Sequence, residues 1–579
     1  MATVRDPLER FPEIFLRGTN PLPRLRRIKG VRTGRGRIRT AVGGLVAAVV
    51  AAGVAEPLAV LAGPRPGPLA AVGSVVVDGA PEGLKRLAIR SFGENDKQVL
   101  LACVVVVVLL LAGMLGLVAR HRPARAMAGV CALGLVGAAA VLTRPGAALL
   151  DAVPVLVGAL AGAVVLRTLS ATRSVALPLN PSPVDALSAA PPDGVTAVGV
   201  SPAASRDGET AEDIAQESGH DREWVVGRRL FLAGTAGAFT VAAGGLSLGG
   251  VLRGRRSVEA ARRAVRLPRP ARPAAPLPAG VDLRLPGLSP FVTPNRDFYR
   301  VDTALVLPQV DPAAWTLRVH GLVERPLELS FDELLRRPLV EHDITLTCVS
   351  NEVGGPYVGH ARWLGLPLAG LLREAGVRAG ADQLLSRSAD GWTCGTPLVS
   401  VLDGRQALLA VGMNGEPLPV AHGFPARLVV PGLYGYSSAT KWVVDLEVTR
   451  FTDTEAYWVA RGYAEDAPVK TLTRIDVPRP LRRLPSGRTV VAGVSWAQRR
   501  GIAAVEVRVD GGPWRQARLA PVPGTDTWRQ WVLEWDATPG THRIEARATD
   551  ATGATQPPTR VPPFPDGATG WHSVVVTVI

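Results

Sequence analysis

The sequence predicts a multi-domain chain with an α-helical transmembrane region first, an α+β domain second and a β-sandwich last. Its 579 residues exceed what a single core supports. Residues 1–250 are rich in Ala, Val, Leu and Gly, whereas every Trp except Trp224 lies beyond residue 280. The pattern also changes along the chain, from long apolar runs to short mixed segments and then to regularly spaced alternating strands.

Residues 41–63, 99–119, 126–142, 147–166 and 230–252 are apolar enough and long enough to cross a bilayer. The apolar piece 69–77 is too short, and reads as a loop or re-entrant segment. This gives a basic cytoplasmic N-terminus (1–39), about four transmembrane helices in 40–168, a disordered linker (169–227) and a last transmembrane helix (228–252). Eight Lys/Arg between Arg24 and Arg39, with Arg120, Arg122 and Arg125, favour a cytoplasmic N-terminus, while Arg253 to Arg272 would fall outside. Arg228-Arg229 before an apolar run resembles a twin-arginine export signal, a route suited to a domain that folds around a cofactor in the cytoplasm. Five crossings place the C-terminal half on the extracytoplasmic side of the cytoplasmic membrane. Glu56 and Asp151 are the strong polar residues within the spans, and Glu56 is a functional candidate by its position.

The net charge of +15 comes largely from arginines beside the spans, so it reads as juxtamembrane charge and not as a nucleic-acid surface. Two of the four cysteines lie in spans, which excludes a disulfide framework, although Cys348 and Cys394 could pair.

Residues 253–284, rich in Pro, Ala and Arg, read as a stiff linker. In 285–475 the segments 315–320, 344–347, 427–430 and 442–448 are strand-like, while 331–336 and 366–375 have helical spacing, an α+β pattern. Residues 476–579 alternate at 489–496, 503–509, 528–535, 542–548 and 573–579, which predicts an immunoglobulin-like β-sandwich. Strict alternation would set Ile502 and Ala504 on one face and Val505, Val507 and Val509 on the other.

Cys348 follows a strand and leads into Asn351 and Gly354-Gly355, where backbone can pass close to a ligand. A thiolate is a soft metal ligand, but one thiolate without nearby His or acidic ligands needs a chelating cofactor. His422, Arg427 and Lys441, with Ser437 and Ser438 among glycines, offer the cations, hydroxyls and backbone N–H groups that a phosphate needs. Each also has a bland reading, as a loop histidine, a surface pair or a solvated charge. Their clustering is the signal.

These residues resemble the molybdenum-cofactor domain of the sulfite oxidase family. The resemblance runs through Thr345 to Asn351, Ala361 to Gly365, Met413 to Pro419, His422 to Pro425, Arg427, Val430 to Gly432 and Lys441-Trp442. It implies a single molybdenum-molybdopterin cofactor, with Cys348 as metal ligand and His422, Arg427 and Lys441 on the pterin and its phosphate. Tyr463, five residues after Trp458, matches the place of the family's active-site tyrosine. Asn295, Phe298, Tyr299 and Arg300 match its first ligand-binding residues loosely. The sandwich looks like that family's dimerisation domain.

The match breaks after the cysteine. Sulfite oxidases continue Asn-Arg-Arg where this chain reads Asn351-Glu352-Val353, which weakens the case for sulfite; Arg300 or Arg461 could supply the charge. The chain has no Cys-x-x-Cys-His haem motif, so electrons pass to or from a separate quinone system or cytochrome. The expected activity is two-electron oxygen-atom transfer on a small sulfur-containing or related substrate. A membrane receptor or scaffold that keeps the fold without catalysis is the alternative, and a cytoplasmic enzyme is a further one.

Overall fold

The computed structural model describes residues 30–63, 67–81, 96–144, 147–171, 211–255 and 257–579, with isolated positions between 83 and 92. The predicted basic stretch before residue 30 and linker residues 172–210 lie outside the described residues. Among the described residues the N-terminal part has the helices α1 (Gly30–Ala62), α2 (Pro68–Gly79), α3 (Asp96–Ala119), α4 (Pro123–Leu142), α5 (Val153–Ala171) and α6 (Ala211–Arg255). Five helical segments, Arg37–Ala62, Lys97–Ala119, Pro123–Leu142, Leu149–Ala171 and Phe231–Ala264, are long and apolar enough to span a bilayer.

The 69–77 segment is not a loop but the helix α2, whose 12 residues rise about 18 Å and cannot cross a ~30 Å hydrocarbon layer. Residues 211–224 are likewise helical, where a disordered linker was expected. Ala211, Glu212, Gln216 and Glu217 are strong helix formers continuing the turn of the span that follows.

Small residues let α1 sit at the centre of the bundle. A Cβ on Gly245 of α6 would meet the Gly53 carbonyl oxygen at 1.9 Å, and one on Gly116 of α3 the Thr40 carbonyl oxygen at 2.2 Å. Such approaches replace the hydrophobic drive that lipid removes. Glu56 pairs with Arg253 at the end of α6 (2.5 Å), and Asp151 accepts from the Ala148 N–H (2.7 Å) as a turn cap. Both carboxylates hold helix ends, which accounts for them structurally.

The region read as a stiff linker adheres to the catalytic domain. Glu259–Ala264 is a short helix whose buried Arg262 donates to the carbonyl oxygens of Leu418 and Pro417 (both 2.9 Å). Further on, the Ala271 N–H donates to Leu339 and the Glu341 N–H to Arg272. Proline lacks an N–H, but the intervening residues keep theirs, so the segment runs along the domain edge.

The α+β domain has two sheets. One is ordered Leu327–Ser330, Thr316–Gly321, Val443–Thr449, Gln383–Ser388, Thr393–Pro397, with the second and third strands parallel. The other runs Val340–Thr347, Val358–Pro367, Leu408–Met413, Glu416–Pro417, and Arg427–Val429 also pairs with Leu408–Met413. Leu317, Leu384 and Leu446 of the first sheet share one core with Leu366, Leu409 and Leu428 of the second and with the helix Leu368–Ala375.

The C-terminal sandwich faces a four-stranded sheet (Leu472–Val477, Gly487–Trp496, Arg529–Ala537, Arg518–Leu519) against a five-stranded one containing Ile502–Val509, Gly540–Asp550 and His572–Val578. Its first strand begins at Leu472, a few residues before the expected boundary. Ile502, Val505 and Val507 all enter its core, contrary to strict alternation, because the ladder to Gly540–Asp550 shifts register between Ile502 and Ala504.

Candidate functional site

Cys348 ends the strand Val340–Thr347 and is buried at 8% exposure. Its N–H donates to the Tyr357 carbonyl (3.0 Å), and its own carbonyl accepts from Asn351 N–H (3.1 Å). Asn351 closes this turn by accepting from the Tyr357 N–H through Oδ1 (2.8 Å), while its Nδ2, also buried, has no partner. Burial pushes the Cys348 thiol up, against hydrogen bonds from Ser350 and the charge of Lys441. All four cysteines are free, so Cys348 and Cys394 form no disulfide.

The strand that carries Cys348 is stitched to the sandwich. Gln498 Nε2 donates to the Thr345 carbonyl (3.0 Å) and to Thr347 Oγ1 (3.1 Å), and the Trp528 N–H donates to Thr345 Oγ1 (2.8 Å). The Trp528 indole also donates to the Phe291 carbonyl (2.8 Å). The second domain thus fixes the metal-ligand candidate from behind.

A two-residue hairpin places the next group. Asn414 and Gly415 both have positive φ (53° and 84°), the mirror-image turn that Asn-Gly favours. Asn414 accepts from the Arg362 N–H (2.9 Å) and donates to Asn295 Oδ1 (2.8 Å); Asn295 Nδ2 donates to Glu416 Oε1 (2.6 Å) and to the Met413 carbonyl (3.2 Å). The Asn295 side chain is therefore engaged by the hairpin. Its carbonyl is what reaches the site, 3.0 Å from His422 Nε2.

His422 keeps a buried Nδ1 without a partner. Burial, then the Lys441 and Arg427 charges, lower its pKa to about 3, so the ring is neutral. Phe298 stands edge-on to His422 (5.6 Å) and to Trp363 (5.9 Å), and stacks on Tyr299 (5.2 Å). Burial, and then the charge of Cys348, raise the Tyr299 hydroxyl well above the usual tyrosine range.

Arg427 lies 5.1 Å over the Trp363 ring and is 3% exposed. It donates to the carbonyl oxygens of His422 (3.1 Å), Ala439 (3.3 Å) and Leu428 (3.4 Å), and among the described residues no carboxylate is bonded to it. Burial lowers its pKa to about 10. Gly423 joins this cation to Lys441: at φ 110° it packs so closely that a Cβ would stand 3.0 Å from Arg427 Cβ and 3.1 Å from Lys441 Cα.

Lys441 Nζ donates to Asp302 Oδ2 (2.9 Å), as does Arg300 Nε (3.0 Å). Burial lowers the Lys441 pKa to about 8, against the attraction of Asp302. Burial likewise opposes ionisation of Asp302, but Lys441, Lys97 and Arg300 outweigh it and hold the carboxyl well below the usual range. The hydroxyls of Ser437 and Ser438 donate to Tyr434 and Leu433 carbonyls and so build the turn; only their lone pairs remain to face a ligand.

Tyr463 packs among Tyr436 (5.4 Å), Trp458 (5.2 Å) and Phe564 (5.2 Å), against a cluster that includes Val349 beside Cys348. Arg461 stacks 3.6 Å over Tyr457 and donates to its carbonyl, which turns it to that ring. Asp302, Trp363 and Asn414 were missed as site-builders. The Asn-Gly turn could have flagged Asn414, while nothing local marks Asp302.

Among the described residues, no group of three or more His, Cys, Asp or Glu could hold a metal ion. One buried thiol, a buried cation without an anion, and orphaned buried nitrogens on His422 and Asn351 fit a chelating, anionic organic cofactor.

Comparison with known proteins agrees. A model of the oxidoreductase molybdopterin binding domain matches residues 304–458. Sulfite oxidase of Gallus gallus is 31% identical over 321 residues, covering 47% of this chain and 69% of that protein. Mitochondrial sulfite oxidase of Rattus norvegicus is 29% identical over 342 residues, covering 50% of this chain and 62% of that protein. Among solved structures, the sulfane dehydrogenase SoxCD from Paracoccus pantotrophus aligns at 25% identity with a TM-score of 0.43, over 50% of this chain and 84% of that one. Fold and site define a molybdopterin-dependent oxidoreductase. The chain belongs to the sulfite oxidase family.

Proposed function

We propose that the chain is a membrane-anchored enzyme of two-electron oxygen-atom transfer, with Cys348 as the protein ligand to molybdenum. The carrying observation is Arg427, a buried cation that among the described residues is bonded to carbonyl oxygens and to no carboxylate, which calls for an anion at that place. Arg427, Lys441 and the His422 Nδ1 would hold the pterin and its phosphate, with Asn351 and the serine oxygens closing the rim. When bound, the cofactor supplies the two-electron chemistry; the protein supplies orientation, exclusion of water and fixed charge. Tyr463 is the candidate to orient the reacting oxygen.

The substrate is read from the loop after Cys348. Glu352 and Arg560 line one cleft, where Arg560 is held by the Trp571 carbonyl (3.0 Å) and Ser573 Oγ (3.1 Å). A carboxylate and a guanidinium lining one cleft favour a neutral or zwitterionic sulfoxide-type molecule over a sulfite dianion. Electrons pass to or from a separate quinone or cytochrome carrier.

The helix ends bearing Asp78, Lys97 and Arg144 meet the catalytic domain or one another, whereas Arg37, Arg39, Arg120, Arg122 and Arg167 lie at the opposite ends. The positive-inside rule supports an extracytoplasmic catalytic domain in the cytoplasmic membrane. The sandwich, read as immunoglobulin-like, offers Trp514 and Trp571 (4.9 Å apart) crossed by Arg508 and Arg547 as a surface for a second copy.

The test is a screen of sulfite, sulfoxides and N-oxides with an artificial electron carrier, on full-length protein in nanodiscs. Turnover of a sulfoxide with one molybdenum per pterin is expected. Folded protein without molybdenum would favour the non-catalytic receptor instead.

A further inference from the structure

The membrane helices reach into the cation cluster itself. Lys97, at the start of α3, donates from Nζ to Asp302 Oδ1, while Lys441 and Arg300 donate to Oδ2 and Arg300 Nη2 also reaches Oδ1 (3.5 Å). Two other contacts hold the same surfaces together. The Tyr457 hydroxyl lies 3.3 Å from Asp78 Oδ1 on α2, and a Cβ on Gly73 of α2 would stand 2.8 Å from Leu305 Cδ1, three residues beyond Asp302.

Asp302 poses a problem for an anion site. Its carboxylate, 7% exposed, sits on the lysine that should meet a phosphate. A phosphate monoester carries about −1.5 to −2 charge at pH 7, and drawing it to Lys441 would leave Arg300 as the partner of Asp302 within the catalytic domain and set two anions together in a poorly solvated place. Lys97 approaches the other oxygen of that carboxylate, so it can neutralise Asp302 while Lys441 turns away.

We propose that Lys97 is a positioning residue for the cofactor: it takes over Asp302 and frees Lys441 for the pterin phosphate, so the site is complete only with the membrane bundle docked. This rests on the pterin reading above. Binding is reciprocal in such a coupling, so the cofactor also strengthens docking of α2 and α3 on the catalytic domain.

The test is pterin and molybdenum per chain during prolonged buffer exchange of the full chain in nanodiscs. Lys97→Met should release pterin at least ~10-fold faster, a loss of ~1.4 kcal/mol or more. Lys97→Arg should hold it at the parental rate. Lys97→Met combined with Asp302→Asn should return to within ~2-fold of the parent, because no carboxylate is left to neutralise; that recovery would also show that Lys97→Met folds. Asp78→Asn, which weakens docking at one contact outside the cluster, should speed release by much less than Lys97→Met. Parental release from Lys97→Met, no recovery in the double variant, or equally fast release from Asp78→Asn would each overturn the proposal. A parent chain that never holds pterin would instead overturn the site reading on which it rests.

Discussion

Arg427 donates from Nη1 to the carbonyl oxygen of His422 at 3.1 Å, so two of the three residues expected on the pterin and its phosphate are joined directly. The guanidinium is directed by three carbonyls and a Trp363 face, and it lacks a carboxylate partner among the described residues. Replacing it by Arg427→Gln should reduce retained pterin roughly tenfold to a hundredfold, the range of a charged hydrogen bond worth ~1.5–3 kcal/mol. The melting temperature of the cofactor-free chain should move by only a few degrees, since an unpaired buried charge is removed together with its bonds. Pterin assay and calorimetry of the variant check both.

Lys441 gives the pH dependence. Its folded pKa, lowered to about 8 by burial, lies below its unfolded value, so the empty folded site carries a penalty at low pH that fades as pH rises from 8 toward the unfolded value. Anion binding requires the charged form. Affinity for the cofactor should therefore be flat below pH 8 and fall above it, and Lys441→Arg should abolish the fall. Reconstitution across pH 7 to 9, above the titration of the phosphate and below that of Arg427, measures this; a loss of affinity from pH 8 down to pH 7 would contradict it.

Trp528 of the sandwich is 1% exposed and bonds to the catalytic domain twice, at Thr345 and Phe291. Trp528→Ala should destabilise the soluble half by ~3–5 kcal/mol, as for other buried aromatic truncations. It should also loosen the strand that ends at Cys348, so molybdenum should be lost at denaturant concentrations below the unfolding midpoint. Chemical denaturation followed by metal content checks the order of the two events.

Among the apolar helices, Gly245→Leu should unseat α6 from α1, because its Cβ would meet the Gly53 carbonyl oxygen at 1.9 Å. Gly237→Leu, with nothing within 4 Å of its Cβ position, should be tolerated. Thermal aggregation of the two variants in detergent separates them.

Much of the site was legible because its residues sit in compact segments. Cys348 with Asn351, and His422 with Arg427 and Lys441, read as chemistry from residue type alone, and the structure gathers the latter three about Gly423. What was not legible depends on distant pairing. Asn295 looked like a ligand-binding amide, but a hairpin more than a hundred residues later claims it. Asp302 bonds its near neighbour Arg300, but Lys441 and Lys97, which no local pattern connects to it, are what bring it into the site. In the fold, long apolar runs declared the spans, while α2 was ambiguous at its length and the proline-rich 253–284 segment concealed bonds made by its other residues.

The most direct test of molybdenum ligation by Cys348 is X-ray absorption at the molybdenum edge of the purified full chain and of Cys348→Ser. Parent protein should show one more sulfur neighbour than the variant, with pterin content equal in both and turnover confined to the parent. The same sulfur count in both, at full molybdenum occupancy, would contradict the assignment.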